Sequence, residues 1–241
     1  MIGVRPSLPL QAPQPAWSLP SRLQLSQWQL ELASGLLVTL PVFLQAPWVR
    51  QAPFSAALFS ALLLTAGLLL ERQSTPRAQH VGALLVGFSG SWLAGALFWG
   101  WFRSHPVLHL PIEAMALPLA LGGLGGRWRL AAGFYLGSLL GTAATDLAIA
   151  ATGVMPLWPQ VLGAGPAEAA GLLQQAALQV VQPVPLMVIT AAAAGLLQLC
   201  RWLWSQGATA RVFAAALATT LSVDGLFLLA ALAAPGLSGL I

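Results

Sequence analysis

Apolar residues run through this chain in long blocks, and polar residues mark where each block stops. Seven blocks stand out, at roughly 30–49, 53–71, 80–102, 107–124, 130–152, 184–204 and 209–235. A helix of about 20 apolar residues spans the roughly 30 Å hydrocarbon core of a bilayer. The pattern therefore predicts an all-α, polytopic transmembrane bundle of about seven helices. The fourth block is short and holds Pro111 and Pro118. Membrane helices tolerate proline because neighbouring groups satisfy the freed backbone. Residues 1–29 hold five prolines and no long apolar core. They are expected to form a mobile tail, with an interfacial piece around 26–30, rather than a cleavable signal peptide. A single transmembrane domain is expected over 30–241.

Charge supports this picture. Only 7% of the residues are charged, against about 25% in soluble domains. So few ions cannot clothe a water-exposed surface, and the bilayer is the expected partner. All ten basic residues are arginine. They fall in ones and twos between the blocks, which excludes a nucleic-acid-binding face. Threaded through seven spans, Arg5, Arg22, Arg72, Arg77, Arg127, Arg129, Arg201 and Arg211 share one side. Arg50 and Arg103 take the other. The positive-inside rule then puts the N-terminus in the cytoplasm and the C-terminus outside or in a lumen. Removing one span scrambles that alternation. Trp28, Trp128, Trp202 and Trp204 fall near inner ends, and Trp48, Trp99, Trp101 and Trp158 near outer ends, as aromatic belts do. Cys200 is the only cysteine, which leaves no intrachain disulfide or cysteine-based metal site.

The longest connection, 153–183, follows the fifth span. Pro166 with Glu168 close behind reads as a helix start. Glu168, Gln175, Gln179 and Gln182 lie on one face and apolar residues on the other. A short amphipathic helix over 166–182 is expected, lying on the membrane surface or capping the bundle.

Three acids fall inside apolar blocks: Glu113, Asp146 and Asp224. Such a residue costs about 2.5–3.5 kcal/mol at a helix centre on insertion scales. It is kept by facing the bundle interior, by pairing or by staying protonated. Counting the 1.5 Å rise along each span puts all three in the outer half or near the midplane. His105 and His109 open the fourth span on the same side, spaced with Glu113 at i, i+4 and i+8. Pro111 disturbs that turn, so the group reads as a broken helix mouth. Thr142 precedes Asp146 by four residues and Thr220 precedes Asp224 by four, which suggests local hydroxyl support for each carboxyl. Arg103 is placed to reach Glu113 from the rim. Metal binding, a proton or substrate role, and ordinary hydrogen-bonded histidines all stay open for the cluster. It lacks the His-Glu-x-x-His order of zinc hydrolases, and no metal ligand set is assigned.

Gly133, Gly137 and Gly141 recur every four residues, the spacing that lets another helix approach closely. Residues 122–126 are rich in glycine but lack the strand before them that a phosphate loop needs. They read as the turn between spans four and five. No cofactor motif and no nucleophile constellation is present, so an enzyme is the third choice of function.

At Pro41-Val-Phe-Leu-Gln-Ala-Pro-Trp-Val-Arg50, His109-Leu-Pro-Ile-Glu-Ala114, Phe134-Tyr-Leu-Gly-Ser-Leu-Leu-Gly-Thr-Ala-Ala-Thr-Asp146 and Val223-Asp-Gly-Leu-Phe227 the chain resembles a family of uncharacterised integral membrane proteins of cyanobacteria. The resemblance covers about 30–235. It implies a cyanobacterial plasma or thylakoid membrane and brings no activity, since the family is a domain of unknown function. Two readings remain. The first is handling of an ion, proton, small cation or other small molecule by Glu113, Asp146 and Asp224, with His105 and His109 as the mouth. The second is an accessory or assembly role beside a membrane-protein partner, within a larger membrane complex, a photosynthetic one being among the candidates.

Overall fold

A computed structural model describes residues 26–237. Seven helices in it are long and apolar enough to cross a membrane: α1 (Gln27–Gln51), α2 (Pro53–Glu71), α3 (Pro76–Phe102), α4 (Pro106–Gly123), α5 (Arg129–Ala151), α8 (Pro183–Leu203) and α9 (Ala208–Ala233). Between α5 and α8 lie two short helices, α6 (Leu157–Gly163) and α7 (Pro166–Val180). The all-helical, seven-span expectation holds. The expected tail falls almost wholly outside the described residues. Its last part, 27–29, is already the first turn of α1, where Gln29 Oε1 accepts the Ser26 N–H at 3.0 Å.

Helices α3, α5 and α9 form the centre. The bundle closes around Leu84, Phe88, Trp92, Phe134, Val212 and Ala216, all nearly sealed from the surface. Close approach rests on the glycines. A Cβ on Gly137 would sit 2.4 Å from the Phe213 carbonyl oxygen of α9. One on Gly87 would sit 2.4 Å from the Ala131 carbonyl oxygen of α5. Gly133 and Gly141 meet Thr209 and Thr220 in the same way. The predicted glycine ridge is thus the seat of α9. In a bilayer, helices associate by this kind of close packing. The outermost span, α8, buries only Cys200, against Ala214 and Leu217 of α9. Val184, Met187 and Trp202 stay exposed on it.

Two spans change pitch at the same end of the bundle. Residues Pro41–Gln45 of α1 and Phe98–Phe102 of α3 are π-helical turns. Such turns recur at functional sites. In the first, Pro41 supplies no N–H, and Gln45 turns inward to donate to the Trp92 carbonyl oxygen at 2.5 Å. Gln45 is 1% exposed. Gly95 leaves it room, since a Cβ there would lie 2.8 Å from the Gln45 Oε1.

α4 is the irregular span. It runs as 3-10 helix Pro106–Leu108, α-helix His109–Glu113, 3-10 helix Ala114–Ala116 and α-helix Leu117–Gly123. Pro111 and Pro118 each remove an N–H. Tyr135 of α5, the only tyrosine, mends the second break. Its hydroxyl donates to the Glu113 carbonyl oxygen and accepts the Ala116 N–H at 3.1 Å. Tyr135→Phe should leave both backbone groups without that partner and cost about 1–3 kcal/mol. Thermal unfolding of the purified protein in detergent checks this, and an unchanged midpoint contradicts it.

Candidate functional site

The four broken pieces of α4 aim its polar groups at α5. His109 Nδ1 lies 2.9 Å from Asp146 Oδ1. Both side chains are largely covered, at 15% and 12% exposure. This pair sits near the end of the bundle that carries α6 and α7. Asp146 lies five residues before Ala151, or about 8 Å along the helix. Glu113 stands in the electrostatic neighbourhood of both His109 and Asp146.

Asp224 joins from α9. It lies nine residues before Ala233, about 14 Å down the helix. Thr145 Oγ1 reaches across from α5 to Asp224 Oδ2 at 2.5 Å, while also contacting the Gly141 carbonyl oxygen at 3.0 Å. The Asp146 charge acts on Asp224 as well. The site therefore groups Glu113, His109, Asp146, Thr145 and Asp224 from three spans, with two hydrogen-bonded pairs, His109–Asp146 and Thr145–Asp224.

Aromatic rings close the His109 side. Phe98 lies 4.3 Å from the imidazole, centroid to centroid. Trp158 lies 6.1 Å away and Trp99 6.3 Å. Trp99 and Trp158 stack on each other at 5.5 Å. Trp158 comes from α6 and is fixed by its indole N–H, which donates to the Arg103 carbonyl oxygen at 2.7 Å. An imidazolium in this box would gain from the ring faces as well as from Asp146. Two clefts lie among the described residues near these groups. One, of about 390 Å³, lies between α1 and α9 and includes Glu31 and Trp204. The other, of about 160 Å³, includes Arg50 and Arg103. Neither is lined by Glu113, Asp146 or Asp224.

The structure brings together most of the residues that the sequence singles out, with some corrections. His105 stays apart. It precedes the first 3-10 turn, is exposed, and contacts Ser104 Oγ at 3.0 Å. The broken start of α4 turns it off the face that carries His109. Thr142 makes no hydrogen bond to Asp146, whose partner is His109. Thr220 Oγ1 donates to its own helix at the Ala216 carbonyl oxygen, 3.1 Å away, rather than to Asp224. Thr145 supports Asp224 instead. Arg103 forms no ion pair with Glu113, whereas Arg211 pairs with Glu31 at 2.5 Å. The expected amphipathic helix is α7, and from it Gln179 donates to the Thr152 carbonyl oxygen at 2.8 Å. Sequence reasoning set Thr145 beside Asp146 rather than Asp224, and it missed Tyr135, Phe98 and the capping role of Trp158. For Tyr135 a signal existed, since a lone tyrosine inside an apolar span needs a partner for its hydroxyl.

A family profile described as a protein of unknown function, DUF3120, matches residues 34–232. The chain belongs to the DUF3120 family. That match begins within α1, ends within the last turn of α9, and takes in every residue of the site just described. No curated protein and no solved structure matches this DUF3120 chain. Its chemistry therefore has to be read from its own residues.

Proposed function

We propose that this protein handles protons inside the membrane, with His109 and Asp146 as the exchanging pair and Glu113 and Asp224 as flanking acceptors. The His109–Asp146 contact carries this reading: a titratable base and an acid from two spans, bonded within a hydrophobic bundle. Ionisable groups in a bilayer are costly, and those that persist mark ion pathways and proton relays. His109, Asp146 and Asp224 are each bonded to protein, and the two clefts named above are not lined by the acids. A proton is the cargo suited to two such bonded pairs set side by side, with Thr145 next to Asp146 in sequence and bonded to Asp224. Histidine is suited to the task because its charge changes near neutral pH. The arginine asymmetry supports a cytoplasmic N-terminus, which sets the site in the outer half. The likeness noted above favours a cyanobacterial plasma or thylakoid membrane.

The test is proton flux. The protein is reconstituted in liposomes holding a pH-sensitive dye, and an acid gradient is imposed with a potassium ionophore present to dissipate charge. Flux well above that of protein-free liposomes is expected. Flux equal to theirs, from protein that remains folded, sinks the proton reading.

A second reading has its own support. The almost unburied flank of α8, with Val184 and Met187 outward, suits a partner helix in a larger assembly. Under that reading the acids act as cross-helix glue, worth about 0.6–2 kcal/mol per bond.

A further inference from the structure

The short helix α6 lies over the imidazole of His109 and is joined to its neighbours through glycines. Gly153 precedes it with a φ of +71°, a conformation that glycine adopts readily and other residues rarely do. Just upstream, Gln179 of α7 holds the Thr152 carbonyl oxygen, so the turn at Gly153 starts from a fixed point. Gly163 ends α6, and Ala164 and Gly165 run extended into Pro166 at the start of α7. A Cβ on Gly163 or Gly165 would meet nothing within 4 Å, so open space surrounds this connection. Two hinge points thus bracket one short helix, the arrangement of a lid. From α6, Trp158 stacks on Trp99 at 5.5 Å and lies 6.1 Å from His109. Leu162 of the same helix lines the cavity of about 160 Å³. Trp99 lines that cavity too and stands 6.3 Å from His109. Lifting α6 withdraws Trp158 from His109 and Leu162 from the cavity wall together, which joins the two spaces.

We propose that α6 is a hinged lid, with Trp158 as its latch, that opens and closes the way from the surface to His109. The inference deepens the proton reading and rests on it for its purpose. The His109 and Asp146 side chains are largely covered, and a pair that trades protons with water needs an opening. Phe98 and Trp99 belong to α3, a central span, so Trp158 is the movable wall of the ring box. Its latch is built to release. The indole N–H donates to the Arg103 carbonyl oxygen in an exposed setting, where water takes over from either partner at little net cost.

Histidine modification tests this on the full-length protein in detergent. Diethyl pyrocarbonate acylates accessible imidazoles, and peptide mass spectrometry reads His80, His105 and His109 separately. His105 is exposed and sets the fast limit. His80, near the start of α3, is a reference remote from α6. In the wild type His109 should react at least tenfold more slowly than His105, and equal rates overturn the proposal. Trp158→Ala tests the latch. It should raise the His109 rate at least tenfold and leave His80 and His105 within about twofold, and an unchanged His109 rate in the folded variant overturns the proposal. Gly165→Pro tests the hinge and stands alone if Trp158→Ala does not fold. Gly165 already holds a φ of −71° and follows an extended Ala164, which suits proline and the residue before it. The closed lid is therefore kept and its hinge stiffened. His109 should react at least threefold more slowly than in the wild type, and an unchanged rate means a fixed cover rather than a lid. Proton flux enters none of these rates, so the lid and the proton reading fail separately.

Discussion

Asp146→Asn should lower proton flux by about 100-fold while leaving the protein folded, a factor in the range that a positioned acid or base contributes. The substitution isolates proton exchange from packing. Asparagine has the size of aspartate, and its amide oxygen can still accept from the His109 Nδ1–H. It cannot take up a proton at neutral pH. If Asp146 serves only as glue between α4 and α5, the amide serves nearly as well and flux stays at the wild-type level. His109→Gln should lose flux for the same reason, since it keeps a polar contact without a titrating ring. Thr145→Val breaks the contact to Asp224 and should reduce flux only if the path extends to α9. Liposome dye assays on the four proteins, at matched reconstitution, read all of this. Wild-type flux in Asp146→Asn contradicts the assignment of the exchanging pair.

The second large effect is on folding. Gly137→Ala places a methyl 2.4 Å from the Phe213 carbonyl oxygen and 2.9 Å from the Phe213 Cα. Both are backbone atoms, so no side chain can swing aside. Helix α9 must shift, and with it Asp224 and the Thr145 contact. Overpacking costs about 1–3 kcal/mol and sometimes more, and a backbone obstacle puts this case at about 3 kcal/mol or above. The control is Gly195→Ala in α8, where no heavy atom lies within 4 Å of the added Cβ. Alanine is the better helix former by roughly 0.5–1 kcal/mol, so that variant should be neutral or slightly stabilised. Thermal midpoints and the folded yield from size-exclusion chromatography decide it. Equal stability for the two variants would mean that the glycine ridge does not seat α9.

The spans were legible because two independent signals agree. Apolar blocks give length, and arginines give alternation. Their starts were read too late, at 30 and 80 instead of Gln27 and Pro76. Polar first turns, such as the one opened by Ser26 and bonded through Gln29, carry no hydropathy. Short α6 was missed, since seven residues between prolines and glycine give no period to follow.

For the site, convergence was legible and pairing was not. The rise per residue put Glu113, Asp146 and Asp224 at similar depths, and the structure sets them in one neighbourhood. Sequence spacing looks along one helix, and so it assigned Thr142 to Asp146 and Thr220 to Asp224. A threonine on a helix has a nearer acceptor in its own i−4 carbonyl, which Thr220 takes. Which hydroxyl reaches a carboxyl across the bundle depends on how α5 sits on α9. Gly141 sets that, with Thr220 packed against the place where its Cβ would be. The ridge was read correctly as packing, but its consequence for Thr145 needed three dimensions. His105 shows the converse error, because regular helical spacing was applied across a 3-10 turn.

The central claim is that these carboxyls exchange protons rather than hold helices together. Infrared difference spectroscopy on the reconstituted protein tests it most directly, with the external buffer stepped from mildly alkaline to mildly acidic. The account predicts carboxylic acid C=O bands that rise with the step. One should disappear in Glu113→Gln and another in Asp224→Asn. A folded protein whose carboxyl bands do not respond would contradict it and leave the acids as structural bonds.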